Sequence, residues 1–135
     1  MGAVSPARSG DVAIMRDGYA AFGRGDIPAV LAVFDPDIEW VEPEGFPWGR
    51  TYRGHEDVVG LFATAAELLG PEWRVEPDRF IATEEGVLVL GHHRGRNADG
   101  PWEVPFAMVW EMRDGRAVRY RQYGDTALMQ EVAGG

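Results

Sequence analysis

The 135-residue sequence has no lysine and no cysteine, and its only serines are Ser5 and Ser9. Without lysine there is no Schiff-base amine and no lysine of a phosphate-binding loop. Without cysteine there is no thiolate nucleophile, no thiolate metal site and no disulfide. Serine-type acyl transfer is disfavoured, because both serines fall in residues 1–10, which read as a disordered leader. Long hydrophobic runs are also missing. The longest run of Val, Leu and Ile alone, Val87–Leu90, is far short of a membrane span. The leader lacks the charged-then-apolar layout of a signal peptide, so a cytoplasmic location is expected. The chemistry left is that of carboxylate, imidazole, phenol, guanidinium and bound water.

Positive charge is in deficit. Thirteen arginines face 22 acids, for a formal net charge of −9. That balance argues against nucleic acid or an anionic membrane as partner. The deficit is local: residues 35–85 carry 13 acids and 4 arginines, while residues 86–135 carry 6 of each. A content of 45% hydrophobic and 11% aromatic residues can bury a core. The length fits one domain, over residues 11–135.

Hydrophobic spacing sets the elements. Val12, Met15, Tyr19 and Phe22 form one helix face, stopped by Gly23 and Gly25. A short helix follows Asp26, a suitable N-cap, and ends at Asp35–Pro36. Ile38–Glu42 reads as a strand with Ile38, Trp40 and Glu42 on one side. After a glycine- and aromatic-containing loop, His55–Leu69 reads as a third helix. Four runs rich in Val, Trp, Phe and Tyr then follow: Trp73–Thr83, Gly86–Arg96, Trp102–Met112 and Ala117–Asp125. Turn signals separate them, which predicts an antiparallel meander. Pro77 points to an edge strand or a bulge. Thr126–Val132 is expected to add a last helical turn. Helices first and antiparallel strands after give an α+β fold.

Few groups carry chemistry. Glu42 sits at a strand end beside Trp40, where apolar surroundings would raise its pKa and suit a general base or acid. His92 and His93 are adjacent on one strand and point to opposite faces. They cannot share a metal, and both faces start apolar, so spacing leaves the inward one open. His55–Glu56 lacks a second histidine at ligand spacing, so no metal is expected, and the glycines match no nucleotide fingerprint. Asp125 closes the last strand, as a cap or as a catalytic acid.

The run YAAFGRGDIPAVLAVFDPDIEWVEP, then GHEDVVGLF, then a meander ending in DGRAVRYRQYGD, resembles the SnoaL-like branch of the NTF2-like superfamily. That branch is related to ketosteroid isomerase, limonene epoxide hydrolase and polyketide cyclases. The resemblance covers about residues 11–130. It implies a cone of curved antiparallel sheet packed against three N-terminal helices, a mainly apolar pocket, and a homodimer through the outer sheet face. It places Glu42 where the isomerase holds its general base. The isomerase's two oxyanion donors fall at Gly18 and near Ala107, so isomerase activity proper is not expected. Asp125 matches the hydrolase's water-activating acid, and His92 and Arg94 fall on its Arg–x–Asp pair. The resemblance thus implies catalysis by Glu42, His92 and Asp125, with Arg94, Trp40 and Tyr123 binding substrate. The expected reaction is cofactor-independent isomerisation, cyclisation or dehydration of a small hydrophobic carbonyl compound. Hydrolysis through Asp125 and a non-catalytic binding or dimerisation module are the alternatives. Convergence of Glu42, His92 and Asp125 on one cavity separates the catalytic reading from the binding one.

Overall fold

The computed structural model of the chain describes residues 6–134, with side chains from residue 10 onward. Helix α1 covers Pro6–Gly23 and α2 covers Ile27–Ala32. Strands β1 (Phe34–Val41) and β2 (Thr51–Arg53) come next, then α3 (Gly54–Leu69). Strands β3 (Arg74–Ala82), β4 (Gly86–Asn97), β5 (Gly100–Arg113) and β6 (Arg116–Gly124) lead to α4, Thr126–Gly134. The α1–α2 corner is set chemically: Gly25 takes φ +73°, and the Asp26 carboxylate accepts from the Ala29 N–H at 3.2 Å.

The six strands form one sheet in the order β2-β1-β6-β5-β4-β3. The meander β3–β6 is antiparallel throughout, and β1 lies parallel to β6. β3 is an edge strand, and its register shifts between Pro77 and Arg79, so the proline marks both an edge and a bulge. A second shift falls between Glu111 and Met112 on β5, opposite Ala117 and Arg119 of β6. It brings Ala117 and Tyr120, three residues apart, onto one buried face.

α1 packs on β3 and β4, and α3 on β1 and β2. The concave face beneath them buries Ile38, Trp40, Val89, Phe106, Trp110 and Tyr120. The structure extends the sequence reading at several edges. β1 begins at Phe34 rather than Ile38, α4 is a full nine-residue helix, and the short β2 pairs with β1 inside the expected loop. α1 starts at Pro6, ahead of the period that began at Asp11. Residues 1–5 of the expected leader lie outside the described residues. No helix among the described residues is long and apolar enough to cross a membrane.

Candidate functional site

Glu42 follows the last residue of β1 and is only 4% exposed. Its backbone is fixed by the Glu42 N–H donating to the Arg50 carbonyl at 3.0 Å, across the mouth of the loop carrying Trp48. That loop is tight: a Cβ at Gly49 would sit 2.0 Å from the Pro43 carbonyl oxygen. The carboxylate therefore points under the helices, into a cavity of ≈ 70 Å³ walled by aromatic and aliphatic side chains. This is well below the several hundred Å³ of a drug-sized site, so the ligand it takes as it stands is small.

Three neutral donors hold Glu42. Trp40 Nε1 donates to Oε2 at 2.6 Å. Trp48 Nε1 and Gln122 Nε2 donate to Oε1 at 3.2 and 2.9 Å. The hydrogen-bond direction behind Gln122 is set from the far end. The Trp73 indole can only donate, and it donates to His93 Nδ1 at 3.2 Å. A neutral His93 must then carry its proton on Nε2, which donates to Gln122 Oε1 at 2.6 Å. The Gln122 amide is thereby oriented with its NH₂ toward Glu42 and toward the Tyr120 hydroxyl, which accepts at 2.8 Å.

Burial dominates the electrostatics. It pushes Glu42 up to about 7 against the opposing pull of its three donors. It pushes His93 down to about 4, against the Gln122 bond, which keeps His93 neutral as the Trp73 donor requires. Tyr19 and Tyr120 are both raised by burial. The Tyr19 hydroxyl accepts from Trp110 Nε1 at 2.9 Å and donates to the Met108 thioether at 3.0 Å.

The placement of the expected site residues is mixed. Glu42 and Trp40 line the cavity. His92, Arg94, Tyr123 and Asp125 do not, which corrects the expectation. His92 faces outward and bonds Asp78 at 2.8 Å. Arg94 lies on the same outer face, paired with Glu76 at 3.0 Å and Glu103 at 3.4 Å. Tyr123 is 55% exposed. Asp125 is exposed and caps α4, accepting from the Leu128 N–H at 2.9 Å. Glu42, His92 and Asp125 therefore do not converge. The physical reason is register: a slip of one residue on a strand exchanges its faces. The inward residues are the neighbours His93 and Gln122, with Tyr120. On α1 the same offset applies, since a phenol enters the cavity from Tyr19, next to the Gly18 at which a missing donor was expected. Trp48 was legible only as a loop aromatic. Among the described residues no three acidic or histidine side chains gather around one point as a metal site would require.

Two solved structures share this fold over most of the chain. An NTF2-like protein of unknown function from Burkholderia pseudomallei is 33% identical, with TM-score 0.84, over 93% of this chain and 98% of its own. TerC, solved as a co-crystal with polyporic acid, is 31% identical, with TM-score 0.85, over 93% and 99% of the two chains. An uncharacterized protein of Mycobacterium tuberculosis is 25% identical over 122 residues, 89% of this chain and 93% of that one. The family model described as a SnoaL-like domain matches residues 15–120, and the chain belongs to that family.

Proposed function

We propose that the protein is a cofactor-independent acid–base catalyst acting on a small hydrophobic carbonyl compound, with Glu42 as the proton acceptor. One observation carries the reading: a buried carboxylate, held by neutral donors, faces an apolar cavity whose lining includes no arginine among the described residues. Such a site tunes a carboxyl toward neutral pH, where it can take a proton and give it back. Tyr19 is the matching donor. Its proton rests on a thioether, a weak acceptor that a carbonyl oxygen can displace, and the Trp110 N–H draws charge from the phenol oxygen. Glu42 removes a proton from the carbon beside the carbonyl, the electron pair moves onto oxygen, and Tyr19 hydrogen-bonds that oxygen. Return of the proton to another carbon gives isomerisation. Attack by the enolate carbon on a second carbonyl forms the ring bond as that C=O π bond opens, and the new alkoxide takes the proton back from Glu42, which gives cyclisation. TerC's co-crystal with polyporic acid supports an organic ligand for this chain too.

Proton exchange tests the reading. Candidate ketones are incubated in D₂O, and loss of the α-proton is followed by NMR. The wild type is expected to exchange them, and Glu42→Gln to be slower by about 10²-fold or more. Equal rates in both proteins would sink the proposal. The binding-module reading is favoured by a separate observation: Glu42 is already met by three donors in a small cavity. It predicts a ligand retained in native mass spectrometry without any exchange. We also propose that two copies pair through the outer face of the sheet, where Leu88, Leu90, Ala107 and Val109 are only half-buried and Tyr123 is exposed.

A further inference from the structure

The hydrogen-bonding capacity left over in the cavity says which ligand it fits. The Trp73–His93–Gln122 chain fixes every donor and acceptor behind Glu42. His93 has both ring nitrogens engaged, and both Gln122 N–H groups are used. Besides Tyr19, whose proton rests on a thioether, two groups among the described residues have capacity to spare. When Glu42 is ionised, its Oε2 accepts from Trp40 alone among the described residues, leaving one lone pair. The Tyr120 hydroxyl accepts from Gln122, but its own proton finds no acceptor among the described residues, though Tyr120 is 1% exposed and lines the cavity. A buried donor without a partner is costly, and a ligand that supplies the acceptor recovers that cost.

The spare acceptor and the spare donor belong to neighbouring groups, because one amide nitrogen bonds both the Tyr120 hydroxyl, at 2.8 Å, and the other oxygen of the Glu42 carboxylate, at 2.9 Å. We infer that the site recognises a neutral, flat molecule carrying a hydroxyl next to a carbonyl oxygen, the hydroxyl donating to Glu42 and the carbonyl accepting from Tyr120. The surroundings fit each part of that description. Trp40 stacks on Tyr120 at 3.7 Å, and Trp110 lies against both rings, so the walls suit a flat ring. No arginine among the described residues lines the cavity to balance a carboxylate ligand, and an ionised Glu42 repels one. This recognition rests on the proposal that Glu42 is the residue that meets the ligand, and it adds Tyr120 as a second anchor.

The probe is maltol, a small ring with a hydroxyl beside a carbonyl, compared with its O-methyl ether and with 2-methyl-4-pyranone, which lacks the hydroxyl. Binding is read from the indole N–H signals of Trp40 and Trp48 by NMR. Maltol is expected to shift both signals and to bind about tenfold or more tightly than either analogue, the worth of one hydrogen bond. Tyr120→Phe, with an unchanged melting temperature as the check on folding, is expected to weaken maltol about tenfold. Equal binding of the three compounds, or no binding of any, overturns the inference on the wild type alone. Full maltol affinity in folded Tyr120→Phe overturns Tyr120 as the anchor. Selective maltol binding without α-proton exchange leaves this recognition standing and removes the catalytic proposal. Exchange without selectivity does the reverse.

Discussion

Glu42 and His93 are joined through one glutamine, and their titrations oppose each other. Glu42 rises from an ordinary value of 4.5 to about 7, so its native form holds a proton that the unfolded chain has released. Its contribution is fully present below pH 4.5 and is lost as pH rises toward 7. His93 falls from 6.5 to about 4, so the unfolded chain holds the proton that the native form lacks. Its contribution is present above pH 6.5 and is lost as pH falls toward 4. Each slope is about 1.4 kcal/mol per pH unit, and between pH 4.5 and 6.5 they cancel. The wild type is therefore expected to show a plateau of stability there by urea unfolding. Glu42→Gln should instead gain stability as pH rises across that window, and His93→Gln should lose it. Parallel curves for all three proteins would refute the coupled burial of the pair. On the catalytic proposal a base must be ionised, so the rate of α-proton exchange should climb with pH through about 7.

At the scale of an element, the meander shows how much the sequence carries and where it stops. Strand existence was legible, because turn signals such as Asp99–Gly100 and Asp114–Gly115 cut four β-rich runs at hairpin spacing, and all four strands form. Glu42 was legible too, since it shares a face with Ile38 and Trp40 and all three are buried. The inward face of β4 was not. Leu88–His92 and Val87–His93 are equally apolar at the start, and only packing under α1 decides between them. The shift opposite Glu111–Met112 hid the face of β6 in the same way, because an extra residue breaks period-2 reading. Side-chain chemistry can check these assignments strand by strand. His92→Ala should cost under about 1 kcal/mol, as its contacts with Asp78 and Glu103 are solvent-facing. His93→Ala should cost about 2–4 kcal/mol, because it leaves a cavity and strands Trp73 and Gln122. Asp125→Ala should cost about 1 kcal/mol, the worth of an N-cap, and leave binding in the cavity unchanged. Chemical denaturation orders the three.

At the scale of the whole molecule, the residues that missed the cavity define the opposite face. A net charge of −9 makes two copies repel at long range, so pairing needs a local surface that neutralises itself. The outer sheet face has one. Arg119 lies between Glu39 and Glu111 at 3.5 and 3.7 Å, and Arg94 lies between Glu76 and Glu103. Between these charge groups run Leu88 opposite Val109, and Leu90 opposite Ala107, which is itself opposite Tyr123. A face with an apolar centre and charges of both signs at its edges complements itself across a two-fold axis. Light scattering on the purified protein is expected to give twice the 14.9 kDa chain mass. Val109→Arg sets a charge in the apolar centre of that face, so under the proposed pairing it should yield the monomer. Val109 lies outside the cavity, so the indole signals of Trp40 and Trp48 should not move in that monomer. A monomeric wild type at micromolar concentration removes the proposed pairing, and a dimer that survives Val109→Arg places the contact elsewhere. Shifted indole signals in the monomer would instead show that pairing shapes the cavity through β5, whose Met108 and Trp110 hold Tyr19 on its other side.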